Sequence, residues 1–221
     1  MDMGRLNDLR ASVVKELTET RVARQLFDGT LARETYAEYL INVHYYALFS
    51  PRLMAAAAAR CTTDNEPLSL YLLHHSEEEM GHERWAYDDL RVLGLDDEAI
   101  RAGRPTPSCL ALVGLTHYVA YHDNPMGLFG WMYVLEGVGS DLGPSVGDEL
   151  RKVFGLQDGG VKFVEGHGIN DADHAADLEE QIAAHVTRPE DAEAVERVGE
   201  AVGDLYVRMF REIGREVEHW G

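Results

Sequence analysis

The chain has 221 residues, 45% of them hydrophobic and 27% charged, which is ordinary for a folded globular protein and excludes disorder as its overall state. This length predicts one domain over residues 1–221. Its formal net charge of −19 argues against nucleic acid or an anionic membrane surface as a partner, because both require basic patches. Two cysteines, a polar start and no long apolar run predict a cytoplasmic protein without a membrane helix.

Helix-forming residues dominate, apolar residues recur at helical spacing, and no segment alternates cleanly with the period of a strand. Pro51 is expected to kink the second helix or to break it at Ser50. The predicted fold is all-α, a bundle of about seven to nine helices with short connections. The helices are predicted over 4–28, 31–61, 65–93, 96–102, 108–122, 126–139, 144–155, 161–186 and 189–218.

The third predicted helix contains two histidines and several glutamates that fall near one face. Helical residues advance by about 100° each, so relative to His75 the positions of Glu78, Glu79 and His82 are near −60°, +40° and −20°. The pattern is compatible with metal ligands. It is equally compatible with a solvated acidic face that carries incidental histidines.

A second candidate ligand is Glu136, the only acid between Asp123 and Asp141, in a helix that is otherwise apolar. Burying a lone carboxylate is costly, so it requires a hydrogen-bonded partner, a cation or a metal. The competing interpretation is a buried glutamate paired with an arginine or a tyrosine.

A third segment contains His167, Asp171 and His174, which converge on one stripe of a helix. The alternative is a polar helix start with exposed histidines. Taken together, the three segments bring imidazoles and carboxylates from three helices, a mixture that suits iron, with manganese as the alternative metal. Zinc would more often show a compact four-ligand set, with cysteine frequent among the ligands.

These motifs resemble the heme-oxygenase-like, iron-containing redox proteins, which include di-iron oxidases and share their superfamily with the TenA-type thiaminases. The resemblance covers roughly residues 35–185. It rests on the segments 39–51, 75–94, 124–125, 133–137 and 167–174.

The resemblance implies a set of metal ligands and leaves one position open. Where the di-iron oxidase pattern has a glutamate, this chain has His75. Either His75 is a ligand in its place, or Glu79 or Glu78 takes that role, so one iron, two irons and a different metal all remain open. The other ligands implied by the resemblance are His82, Glu136, His167, Asp171 and His174.

The function implied by the resemblance is a non-heme iron oxidase or oxygenase that uses O2 on a small organic substrate. A homodimer is left open. Two alternatives are a heme-binding or heme-degrading protein of the same fold and a non-catalytic bundle with a vestigial metal site. A thiaminase is disfavoured because the stretch 126–143 has no cysteine near Glu136. His44 is either a weak candidate for lining the substrate cavity or, as we prefer, a histidine of the core.

Overall fold

The computed structural model describes residues 1, 3–157 and 159–215, and within that range the side chains of 167–173 are not described. The described chain forms ten α-helices, with a short 3-10 turn at Thr63–Asn65 and no strand, which confirms the all-α prediction. The helices are α1 Gly4–Thr18, α2 Arg21–Phe27, α3 Arg33–Ala58, α4 Glu66–Glu78, α5 Glu83–Val92, α6 Asp97–Ala102, α7 Pro107–His122, α8 Gly127–Phe154, α9 Lys162–His185 and α10 Pro189–Glu212.

The first predicted helix is divided in two. A turn at Glu19 and Thr20 separates α1 from α2. Thr20 has extended backbone angles, and its side chain accepts a hydrogen bond from the N–H of Ala23, as N-terminal capping residues do. The single helix predicted over 4–28 is therefore wrong, since the hydrophobic spacing continues through a residue that caps a new helix.

The third predicted helix is also divided, and this break lies inside the candidate metal segment. The helix α4 ends at Glu78 and α5 begins at Glu83, with His82 as the residue that precedes α5. Gly81 has φ +101°, a left-handed conformation that favours glycine. The prediction that His75 and His82 share one helical face is therefore wrong, because the helix does not continue between them.

Two prolines do not interrupt their helices. The helix α3 runs through Pro51, and α8 runs through Pro144. The predicted boundary at 144 is therefore wrong, and Glu136 lies within a single helix of 28 residues. A proline removes one backbone hydrogen bond, and packing on several sides can offset that loss in a long buried helix.

The helix α8 packs mainly against α9 and α10, and α1 and α2 pack against both α8 and α10. Within the described chain, one hydrophobic core contains buried residues from all ten α-helices. At Gly130 the backbones of α8 and α10 touch, because a Cβ there would lie 2.0 Å from the carbonyl oxygen of Val195. Among the described residues, we find no helix with the length and apolarity needed to cross a membrane.

Candidate metal centre

The innermost candidate ligands are a histidine and a glutamate from different helices. His75, near the end of α4, is only 3% exposed. Its Nε2 lies 2.9 Å from Oε1 of Glu136, which projects from the middle of α8 and is 12% exposed. The sequence predicted that Glu136 needs a partner, and the structure supplies a buried imidazole rather than an arginine or a tyrosine.

Glu78 and His174 complete this group. Oε2 of Glu78 lies 3.6 Å from Nδ1 of His75 and 3.7 Å from Nε2 of His174. One potential ligand atom from each of these three residues lies within 4.8 Å of the others. The imidazole rings of His75 and His174 meet edge to face with their centroids 5.2 Å apart. The structure thus joins α4 and α9 at the point where Glu136 reaches in from α8.

A second pair lies in the break between α4 and α5. Nδ1 of His82 is 3.0 Å from Oε1 of Glu79, and both side chains are nearly buried. The indole of Trp85 stacks on the His82 ring with a centroid distance of 3.9 Å. Because the turn at Gly81 redirects the chain, Glu79 and His82 face each other across a turn, and not along one helical stripe.

Two candidate ligands cannot be placed. The side chains of His167 and Asp171 lie outside the described residues, although α9 continues through both positions. Glu78 was one of three open choices at the departure from the di-iron oxidase pattern, and it is the one that approaches both His75 and His174. Sequence spacing alone could not predict this approach, since it depends on where α4 ends.

Two buried polar atoms of this group are left without a hydrogen-bond partner in the described part of the chain. They are Oε2 of Glu136 and Nδ1 of His174. A buried carboxylate oxygen or imidazole nitrogen with no partner costs free energy, so such atoms call for an explanation such as a bound ion. Carboxylate and imidazole donors suit iron or manganese, so the residues present fit a metal of that type.

A cavity of about 170 Å³ borders the candidate centre. His75, Glu79 and Glu136 line it, and most of the remaining wall is aliphatic or aromatic. Of the described residues, no lysine or arginine lines the cavity. The apolar wall includes Leu17, Val22, Leu26, Leu31, Met54, Met132, Leu135, Val138, Leu142, Val146, Leu150, Phe163, Val164 and Phe210.

The electrostatic environment of His75 is dominated by its acidic neighbours. Burial alone would lower the pKa of this imidazole, but the charge of Glu136 and its hydrogen bond, together with Glu79 and Glu78, raise the pKa to about 9. In the metal-free protein His75 is therefore an imidazolium at neutral pH. A metal must displace that proton to bind the ring nitrogen.

This raised pKa predicts how the stability of the metal-free protein depends on pH. A histidine whose pKa is higher in the folded than in the unfolded protein stabilises the fold. This contribution is complete below the unfolded pKa of ~6.5, and it is lost as the pH rises through the pKa of the folded protein. We expect the free energy of unfolding to fall between pH 6.5 and 9, by on the order of 3 kcal/mol at most. Urea unfolding of wild type and of His75→Ala at several pH values across this range measures the free energy of unfolding. An equal dependence of that free energy on pH in both proteins would contradict the prediction.

His44 lies in α3 and contacts α5. Its Nδ1 lies 2.9 Å from the carbonyl oxygen of Glu83, and its ring packs against Tyr87. It therefore joins α3 to α5 and is absent from the described cavity wall. Burial raises the pKa of the Cys61 thiol to about 11 and that of the Cys109 thiol to about 12.

Comparison with known proteins identifies the family. The model of the iron-containing redox enzyme family matches residues 37–203, and the chain belongs to this family. No curated protein matches the chain.

Solved structures confirm the heme-oxygenase-like fold. A domain of unknown function from Shewanella denitrificans with this fold is 23% identical, with a TM-score of 0.88 over 96% of this chain and 92% of that one. Heme oxygenase-1 from Synechocystis, in complex with heme, is 16% identical with a TM-score of 0.71 over 95% and 92%. A TenA homologue from Pseudomonas syringae is 15% identical with a TM-score of 0.72 over 94% and 90%. At these identities the likeness shows the fold alone.

Proposed function

We propose that this iron-containing redox enzyme is a non-heme oxidase that holds one or two irons and uses O2 to oxidise a small organic substrate. The observation that carries the proposal is the buried, unpartnered Oε2 of Glu136 in the described chain, beside the cluster of His75, Glu78 and His174. A carboxylate oxygen in this position has the chemistry and the burial of a metal ligand.

The described side chains divide into two neighbouring groups that fit two metal positions. His75, Glu78 and His174 form the first group, and Glu79 with His82 forms the second, while Glu136 contacts the first group through Nε2 of His75. Atoms that bind one ion at roughly 2.1 Å lie up to ~4.2 Å apart, so a small inward movement would let His75, Glu78 and His174 share an ion. We propose His167 and Asp171 as further ligands on the basis of the family resemblance.

Bound iron would supply the reaction with O2, and the protein supplies a dry site and a place for the substrate. The apolar wall would keep water from His75, Glu79 and Glu136, and it would bind the apolar part of a substrate. Glu136 would hold an ion from α8, on the Nε2 side of His75, while Glu78 and His174 would hold an ion from α4 and α9. Carboxylates on facing helices are how bundle-type di-iron sites hold their metals.

The heme alternative has the support of the fold, because the Synechocystis neighbour was solved in complex with heme. The cavity here, at about 170 Å³, is smaller than the ~300–1,000 Å³ pockets that bind even drug-sized ligands. The described wall also offers no lysine or arginine to the acidic groups of a heme. A heme site needs one proximal histidine and does not need three carboxylates beside it.

Ferrous loading under anaerobic conditions tests the proposal directly. We expect one to two irons per wild-type chain, a lower iron content in both His75→Ala and Glu79→Ala, and no heme Soret band of a bound complex when hemin is added. Glu77→Ala is the matched control, because Glu77 is an exposed residue of α4 that carries the same charge as Glu79. Its iron content should equal that of wild type, as measured by metal analysis after removal of free iron.

Each other outcome has a defined meaning. If only Glu79→Ala loses iron, His75 is not a ligand and the first group is assigned wrongly. If wild type takes up no iron, or if it binds hemin through His75 instead, the proposed non-heme function is wrong.

A further inference from the structure

One face of α5 packs along the first turns of α9. His82, Trp85 and Asp89 are spaced by three and four residues, so they lie on the same side of this segment. Trp85 stacks on His82 on one side and meets α9 on the other. A Cβ at Gly166 would lie 2.6 Å from the Trp85 ring, so α9 can approach this closely only because residue 166 is a glycine.

Asp89 binds the beginning of α9 from this face. Its carboxylate is buried, with 1% exposure, and accepts hydrogen bonds from the backbone N–H groups of Lys162 at 3.0 Å and Phe163 at 2.8 Å. The first N–H groups of a helix have no partner within the helix. Val161, which precedes α9, makes no side-chain capping bond. The cap of α9 therefore comes from a residue more than 70 positions earlier in the chain.

The turn that leads into α9 is held from its other side as well. Gly159 and Gly160 have φ +77° and +81°, conformations that L side chains rarely adopt. The hydroxyl of Tyr36, a buried residue of the cavity wall, donates to the carbonyl oxygen of Gly160 at 2.8 Å. The carboxylate of Asp89 and the hydroxyl of Tyr36 together fix the position of this turn against α5 and α3.

We propose that Asp89 is a positioning residue for the metal centre, which fixes the register of α9 relative to the segment that carries His82. This inference rests on the proposed function. A helix turns by about 100° and rises by 1.5 Å per residue, so a slip of one residue at Lys162 would rotate His174 away from Glu78. Among the described residues, Asp89 makes no hydrogen bond to a candidate ligand, and its carboxylate binds the backbone of α9.

The competing explanation is that Asp89 merely stabilises the fold as a remote helix cap. The two explanations differ in their expectation for folded Asp89→Asn protein. A positioning role predicts that its metal site is altered, and a purely structural role predicts that it is not. Asparagine keeps the shape and one acceptor oxygen but removes the charge and the second acceptor. Asp88→Asn is the matched control, because the adjacent Asp88 is exposed and binds only the side chain of Lys162.

The test combines amide exchange on the metal-free protein with binding of Fe²⁺ and of Co²⁺, whose visible spectrum reports the ligand set. In Asp89→Asn we expect the amides of Lys162 and Phe163 to exchange at least about tenfold faster, since hydrogen bonds to a charged group are strong. We expect metal affinity to fall about 10- to 100-fold, as for other residues that orient ligands, and the Co²⁺ spectrum to change. Asp88→Asn should change none of the three.

A second variant keeps the proposal testable if Asp89→Asn does not fold. Gly166→Ala pushes α9 away from Trp85 without altering Asp89, and it should also shift the Co²⁺ spectrum and weaken metal binding. Faster amide exchange with an unchanged Co²⁺ spectrum and unchanged affinity in either variant would overturn the positioning role. Failure of the wild type to bind either metal would instead overturn the proposed function, together with the role built on it.

Discussion

Glu136→Gln is expected to lower iron affinity by roughly 100-fold or more, the largest loss of any single change at the candidate centre. Changes to residues that only orient metal ligands typically cost 10- to 100-fold, and Glu136 is proposed to bind the metal itself. Glutamine fills the same space and can still accept a hydrogen bond from His75, but it removes the negative charge that offsets the charge of the metal. Titration with Fe²⁺ under anaerobic conditions measures the loss.

Asp141→Asn is the matched control for this change. Asp141 lies five residues further along α8, loses the same charge, and pairs with Arg10 away from the cavity. Its iron affinity should equal that of wild type. Iron binding by Glu136→Gln within threefold of wild type would remove Glu136 from the set of ligands, whatever the thermal stability of the variant.

Gly130→Ala is expected to cause the largest loss of stability. The added Cβ would lie 2.0 Å from the carbonyl oxygen of Val195 and 2.8 Å from the backbone nitrogen of Gly199, both in α10. Backbone atoms cannot rotate away as a side chain can, so α8 and α10 must separate. Overpacking of this kind costs about 3 kcal/mol, and for a chain of this length each kcal/mol lowers Tm by roughly 2–4 °C.

The control for this substitution is the same change at an open position. Gly114 lies in α7 and is exposed, and apart from the backbone of its own helix no described atom lies within 4 Å of the Cβ that alanine would add. Gly114→Ala should therefore raise stability by about 0.5–1 kcal/mol, because alanine favours a helix over glycine. Thermal unfolding of both variants tests the pair, and a Gly130→Ala protein within about 2 °C of wild type would show that the two helices are not in contact.

The fold class was predictable because hydrophobic spacing indicates helices directly, and the core residues of α10 follow that spacing. Helix boundaries were less predictable. The break at Gly81 depends on one left-handed glycine within a run that otherwise favours a helix, and the continuity at Pro144 depends on packing around α8. Spacing identifies residues that share one helix, but it cannot report which residues of different helices meet.

The candidate centre was likewise predictable in part. An isolated acid in an apolar helix drew attention to Glu136, and the structure places its carboxylate against His75. The approach of Glu78 to His174 joins residues about 100 positions apart, and it follows from where α4 ends and how α9 crosses it. The contact of Asp89 with the start of α9 could not be predicted from the sequence either, because an aspartate in a short amphipathic helix is typical of a solvent-exposed position.

Part of the cavity wall comes from helices that precede the segment matched by the family. The helices α1 and α2 supply Leu17, Val22 and Leu26 to that wall, yet both lie before residue 37, where the family match begins. Every candidate metal ligand lies inside the match. The candidate ligands and this part of the cavity wall therefore come from separate stretches of the sequence. Exchange of the first thirty residues could reshape the cavity without altering a single candidate ligand.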